Sequence, residues 1–282
     1  MKRQIIKNIT EPCVFCGAPS STREDVFPLW LQRRYNLFDQ RLNLLDGSSI
    51  PYRQLKIQAC EKCNNETLSR IESNVKEQKA SVIEYYLWAL KIYIGILYKE
   101  STLLSYNSTD NETIVDKKNI IVDLGIAKNI FNVYKNKGSF SPDPPGSVII
   151  TPRIGDNKYF DYCDIQQVPI LGITLPNEFV FCLPFDKGRT MNLIDVNKFP
   201  KDMDDITFKF QIADMGYNEF RWEDGYSSLT VDNLLHIAPG SLSLRQQKPF
   251  DKEVFKNILK RLGLNGEYIS GNRWKLSELY QS

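Results

Sequence analysis

Histidine is almost missing from this chain of 282 residues: His236 is the only one. That scarcity removes the most common general base and a frequent metal ligand from most of the sequence. Long apolar runs are missing too. The most apolar stretch, Val82 to Tyr98, is too short to span a bilayer and carries Glu84 and Lys91, so it reads as a buried amphipathic helix and no membrane partner is expected. The opening residues, MKRQIIKNITEP, hold no apolar segment of secretory-signal length, and Pro12 would interrupt one. There is no glycine-rich phosphate loop, serine-nucleophile motif, dinucleotide-binding fingerprint or internal repeat of fixed period. Cysteine is sparse at six residues, and four of them fall in two Cys-x-x-Cys pairs, which points away from a secreted disulfide framework and toward metal binding in a reducing, cytoplasmic compartment.

What is present is ordinary globular material, 42% hydrophobic, 25% charged and 12% aromatic, with enough chain for two modest domains. The formal net charge is only +2, but residues 1–80 hold 13 Lys and Arg against 9 Asp and Glu, so the first module is net basic and the remainder slightly acidic. A basic first module can face a polyanion, although a solvated surface has the same composition.

Residues 11–64 are irregular and bracketed by the cysteine pairs, as expected of a module held by metal rather than by a large core. Leu68, Ile71 and Val75, then Ile83, Leu87, Leu90, Ile94 and Leu97, recur at helical spacing and predict two helices or one bent helix over 65–100. The polar segment 105–119 reads as an exposed connector, which divides the chain into 1–104, the connector, and 120–282. A short helix is expected near Ala127 to Lys135. Strands are expected over Val148–Pro152, Val168–Leu175, Phe179–Leu183 and Thr207–Ile212, where β-branched and aromatic runs are punctuated by Gly and Pro. Asp251 to Leu262 predicts a closing helix with Gly263 as its stop signal. The fold class is therefore α+β: a metal-bound amino-terminal module, helices, then a mostly antiparallel β-rich domain with a carboxy-terminal helix.

Cys13 and Cys16 form one pair and Cys60 and Cys63 the other, 43 residues apart. Each Cys-x-x-Cys turn presents two thiolates to one ion, so two turns complete a tetrahedral shell, and structural zinc is the expected cofactor. Unrelated buried thiols or a redox dithiol are the bland alternatives. Cys163 and Cys182 sit alone among apolar or aromatic neighbours and read as inert core residues.

Between and after the pairs stand Ser21-Thr22-Arg23-Glu24-Asp25-Val26-Phe27-Pro28-Leu29-Trp30-Leu31 and Cys60-Glu61-Lys62-Cys63-Asn64-Asn65. Across residues 13–72, and more loosely to about 100, the chain resembles the zinc-containing branch of the His-Asn-His (HNH) endonuclease superfamily, which reads Cys-x-x-Cys, Glu-His-hydrophobic-x-Pro, Trp, Cys-x-x-Cys-Asn. The resemblance implies a ββα-metal module in which a hairpin and helix grip a second, catalytic cation, magnesium or manganese. By the same resemblance Glu24 matches an acidic metal-site position and Asn64 a residue facing that cation, while either Asn36 or Asn43 could match the middle asparagine. Asp25 stands where the family places its histidine base. An ordinary carboxylate is a weak base, so Asp25 would serve better as a ligand of a hard cation, provided it and its neighbour Glu24 point the same way. His236, flanked by apolar residues, is a structural histidine or a base supplied from the second domain.

Arg33 and Arg34, with Trp30 and Tyr35 nearby, are the candidate contacts to nucleic acid, although Trp30 also reads as a core anchor. Two functions stay open. One is an HNH-like endonuclease, or a protein derived from one, that acts on nucleic acid, with DNA favoured over RNA, by metal-assisted phosphodiester hydrolysis through Glu24, Asp25 and Asn64. The other is a catalytically inactive zinc-scaffold binding module, an inhibitor or complex subunit, whose carboxy-terminal domain could meet a protein partner.

Overall fold

The structure, a computed structural model, describes residues 11–108, 110–154, 158–165, 168–193, 203–220, 222–223, 246–247, 250–270 and 273–278. Its chain divides into two compact units, Met1–Ser139 and Phe140–Ser282. The architecture is α+β.

In the first unit, strand β1 (Thr22–Asp25) is followed by helix α1 (Leu29–Arg34), strands β2 (Arg41–Asn43), β3 (Ser49–Pro51) and β4 (Lys56–Ala59), and a π-helical stretch, Lys62–Leu68. That stretch runs directly into α2 (Ser69–Lys76), and α3 (Val82–Glu100) and α4 (Lys117–Lys135) complete the unit. β1 and β4 pair antiparallel, Thr22 opposite Ala59 and Asp25 opposite Lys56, while β2 and β3 form a separate hairpin. The helices predicted over 65–100 are thus two, broken after Lys76.

α3 starts where Glu84, three residues into the helix, turns back to accept a hydrogen bond from the Ser81 backbone N–H at 3.0 Å, which satisfies an amide the helix leaves without a partner. From Tyr85 to Ile94 every residue of α3 is buried, as befits a helix apolar nearly all round. Gly95 lets it approach the end of β1 closely, because a Cβ there would lie 2.8 Å from a Val26 methyl. α4 covers α3 through Ile120, Ala127, Ile130 and Phe131, with the Phe131 ring edge-on to Phe15 at 5.1 Å.

The polar segment 105–119 lies inside the first unit, and the division falls after α4. Its polar groups bind back onto the β2–β3 turn: the Tyr106 N–H donates to an Asp46 carboxylate oxygen at 2.7 Å and the Asn107 amide donates to the Asp46 carbonyl at 2.9 Å. The segment is largely exposed, as the sequence suggests, and these hydrogen bonds also fasten it to the turn.

The second unit is built on a four-stranded antiparallel sheet of β5 (Ser147–Pro152), β6 (Tyr162–Ile165), β7 (Ile170–Thr174) and β8 (Glu178–Leu183), in the order β5-β8-β7-β6. Short α5 (Arg189–Leu193) precedes α6 (Asp205–Phe220); β9 (Trp222–Glu223) pairs with β10 (Gln246–Gln247); α7 (Lys252–Arg261) leads into a hairpin of β11 (Leu264–Ser270) and β12 (Arg273–Glu278). Thr207–Ile212, expected as a strand, belongs to α6. Local β-propensity there yields to helical spacing: Phe208, Ile212 and Met215 recur on one face and are buried, and the Asp204 carboxylate accepts the Thr207 N–H at 2.7 Å as a cap. α6 lies on the sheet with Phe208 stacked on Phe179 at 4.6 Å. α7 forms as predicted, with the Asp251 carboxylate accepting the Glu253 and Val254 amides and Gly263 at φ +75° ending it. Cys163 and Cys182 are buried, and burial raises both thiols well above their ordinary range, as inert core residues require. Among the described residues, no helix is long and apolar enough to cross a membrane.

Candidate metal centre

Two tight turns bring the four amino-terminal cysteines together. In the first, the Gly17 N–H donates to the Cys13 carbonyl and the Cys13 N–H to the Ala18 carbonyl, both at 2.8 Å; Gly17, at φ +77°, takes the left-handed conformation that lets the chain reverse. The second turn leaves β4, with the Cys63 N–H directed at the Cys60 sulfur at 3.4 Å and the Asn64 N–H donating to the Cys60 carbonyl at 3.0 Å. The Val14 N–H donates to the Gln58 carbonyl at 3.0 Å and fastens the first turn to the strand that carries the second.

The ligand atoms of Cys13, Cys16, Cys60 and Cys63 lie within 4.8 Å of one another, and the Cys16 and Cys60 sulfurs are 3.6 Å apart. A tetrahedral shell with metal–sulfur bonds of about 2.3 Å needs sulfur separations of about 3.8 Å. The donor set and spacing therefore fit a metal ion such as zinc. All four are free thiols, three of them buried. Their protons compete: hydrogen bonding with Cys63 pulls Cys13 down to about 4, while the same contact and burial push Cys63 far up. A cation that takes several thiolates at once relieves that competition. Lys135, in the last turn of α4, faces the cluster; burial opposes its charge, but Cys63, Cys16 and Cys60 hold its ammonium above the ordinary range. It supplies positive charge beside what would be a dianionic tetrathiolate centre.

Glu24 and Asp25 do not share a pocket. Successive side chains of a strand point to opposite faces, and here Glu24 is buried, paired across the ribbon with Ile57, whereas Asp25 shares the other face with Lys56, to which it ion-pairs at 2.9 Å. The Glu24 carboxylate meets the ammonium of Lys91 at 2.5 Å, and the same ammonium binds Glu72 of α2. Burial alone would depress Lys91, yet Glu72 and Glu24 together hold it above its usual range. Burial pushes Glu24 up, with Lys91 opposing and the neighbouring Glu72 and Asp25 adding to the rise. The Asn64 amide donates to the Thr22 hydroxyl at 3.0 Å and the Arg23 carbonyl at 3.3 Å, fastening the π-helical stretch to β1.

Arg33 and Arg34 are exposed at the end of α1, Trp30 is half-buried, and Tyr35 is in the core. Asn36 follows α1 at φ 52° and Asn43 is exposed on β2. His236 lies outside the described residues. Lys91 and Glu72 are the residues whose joint role the sequence hid. The available signal was a lysine amid apolar neighbours in α3, which needs a carboxylate if it is buried. No family model matches the chain, and no curated protein or solved structure matches it at a significant level.

Proposed function

We propose that the first unit is a zinc-scaffolded binding module of HNH-like build that contacts nucleic acid without hydrolysing it. Zinc is the ion favoured by a closed shell of four thiolates in a reducing compartment. The observation that carries the non-hydrolytic reading is Lys91: its ammonium lies against Glu24 of β1, where the resemblance puts an acidic metal-site position, and against Glu72 of α2. A fixed monovalent charge between these carboxylates opposes a divalent ion at the same place. Asp25, on the opposite face and paired with Lys56, cannot act jointly with Glu24 on one water. Exposed Arg33 and Arg34 are the proposed contacts to the phosphate backbone, with DNA favoured over RNA by the resemblance.

The test is to incubate the native chain and Asp25→His with single- and double-stranded DNA and RNA in magnesium or manganese, and to measure binding in parallel. The expected result is no cleavage by either protein and binding to DNA that falls steeply with salt. Arg33→Ala with Arg34→Ala should weaken that binding on all sequences alike and flatten the salt slope by about 2. Metal-dependent cleavage that disappears in Glu24→Gln would overturn the non-hydrolytic reading, and absence of binding at low salt would overturn nucleic acid as the partner.

A further inference from the structure

The first unit has a basic cleft of about 410 Å³ along the β1–β4 ribbon, with Ile57 and the end of α3 also in its lining. Arg23 and Lys56 project from one face of the two strands, Lys99 reaches it from the last turn of α3, and Arg53 also lines it. Two of these cations are already committed: Arg53 pairs with Asp39, and Lys56 with Asp25. The side chains of Arg23 and Lys99 have no hydrogen-bond or ion-pair partner among the described residues. Lys99 is half-buried, and burial, with the charge of Arg23 added, lowers its ammonium below the ordinary range. Two unpaired like charges held at one cleft are relieved by an anion, and a doubly charged one relieves both.

Size and the remaining wall narrow the ligand. The volume is within the range of small-ligand pockets, about 300–1,000 Å³. The Glu11 carboxylate, bound by the Tyr98 hydroxyl, forms part of the wall and would repel a second phosphate. That arrangement suits a single phosphate at the end of a small polar molecule better than a continuous backbone. We propose that this cleft binds a phosphomonoester of about mononucleotide size, its phosphate seated between Arg23 and Lys99. A phosphomonoester carries about −1.5 to −2 charges at neutral pH and offers three acceptor oxygens to the two cations. The proposal goes beyond the zinc and nucleic-acid reading and stands on different residues.

Isothermal titration of the full chain at low salt with adenosine 5′-monophosphate, with adenosine, and with duplex DNA tests it. The expected result is that adenosine binds at least about tenfold more weakly than its monophosphate, because a charge-assisted contact is lost at each cation. Arg23→Ala and Lys99→Met should each weaken the monophosphate about tenfold, and inorganic phosphate should compete with it. Arg23 is exposed and methionine retains the stem of Lys99, so both variants should keep the native thermal midpoint. Displacement of the nucleotide by a 5′-phosphorylated single strand but not by its 5′-hydroxyl counterpart also supports the site and identifies a strand end as the source of the phosphate. Equal affinity for adenosine and its monophosphate, no binding of the monophosphate, unchanged affinity in both variants, or displacement by unphosphorylated duplex DNA would each overturn it. Because the DNA contacts are placed at Arg33 and Arg34, loss of DNA binding in that double variant with nucleotide binding intact separates the two readings.

Discussion

Replacing Lys91 by methionine removes the ammonium and keeps most of the stem in place. Lys91 is 0% exposed and its partners Glu24 and Glu72 are 7% and 18% exposed, so neither carboxylate gains enough water to replace the lost cation. Removing one member of a buried ionic cluster costs about 3–5 kcal/mol, most of it the penalty of the charges left behind. Native-state hydrogen exchange of the α3 amides, corrected for intrinsic rates, reads this loss as a drop in opening free energy. The pH dependence has a definite sign. Glu24 is already raised in the folded protein by burial, and without Lys91 it rises further. A carboxyl raised on folding stabilises fully below its unfolded value of about 4.3 and loses that contribution as pH climbs through the folded value. The variant should therefore be weakest near pH 7–8 and recover toward pH 5, and Glu24→Gln added to Lys91→Met should recover part of the loss at pH 7. A cost below about 1 kcal/mol, or one independent of pH, would refute the buried triad as described.

Cys60→Ser should abolish stoichiometric metal binding and speed exchange throughout residues 13–64, checked by elemental analysis and hydrogen exchange. Gly172→Ala puts a methyl 2.0 Å from the Ile212 terminal carbon and 2.7 Å from the Phe208 ring, both fully buried, and should cost the second unit about 1–3 kcal/mol in urea unfolding. Gly125→Ala, in α4 with open space around it, is the control and should be neutral or stabilising. Burial raises Asp164 to about 6, so its contribution is lost as pH rises through that value; Asp164→Asn should raise the thermal midpoint at pH 8 and do little at pH 4.

Signals confined to a few neighbouring residues were legible in the sequence. The cysteine pairs are such a signal, because a Cys-x-x-Cys turn dictates its own geometry, and so are the Asp251 cap and Gly263 stop of α7. Thr207–Ile212 misled because its side chains favour a strand singly, while the spacing that makes α6 extends beyond the segment to Met215. The β11–β12 hairpin and the short strand β6 had too few apolar residues in alternation to stand out. At the site, the side chains of Glu24 and Asp25 look like one acidic pair in the sequence and become two opposite faces once β1 pairs with β4. Glu72 and Lys91 meet Glu24 only through the packing of α2 and α3, and Lys135 reaches the cysteines only through α4. No local pattern encodes those approaches.

Counting metals on the native chain decides whether this unit holds the one structural zinc proposed for Cys13, Cys16, Cys60 and Cys63, and no catalytic cation. After equilibration with manganese and exhaustive dialysis, with bound manganese then titrated back by electron paramagnetic resonance, one zinc per chain and no manganese site at Glu24 are expected. Absence of zinc, or a stoichiometric manganese site that Glu24→Gln removes, would contradict that reading.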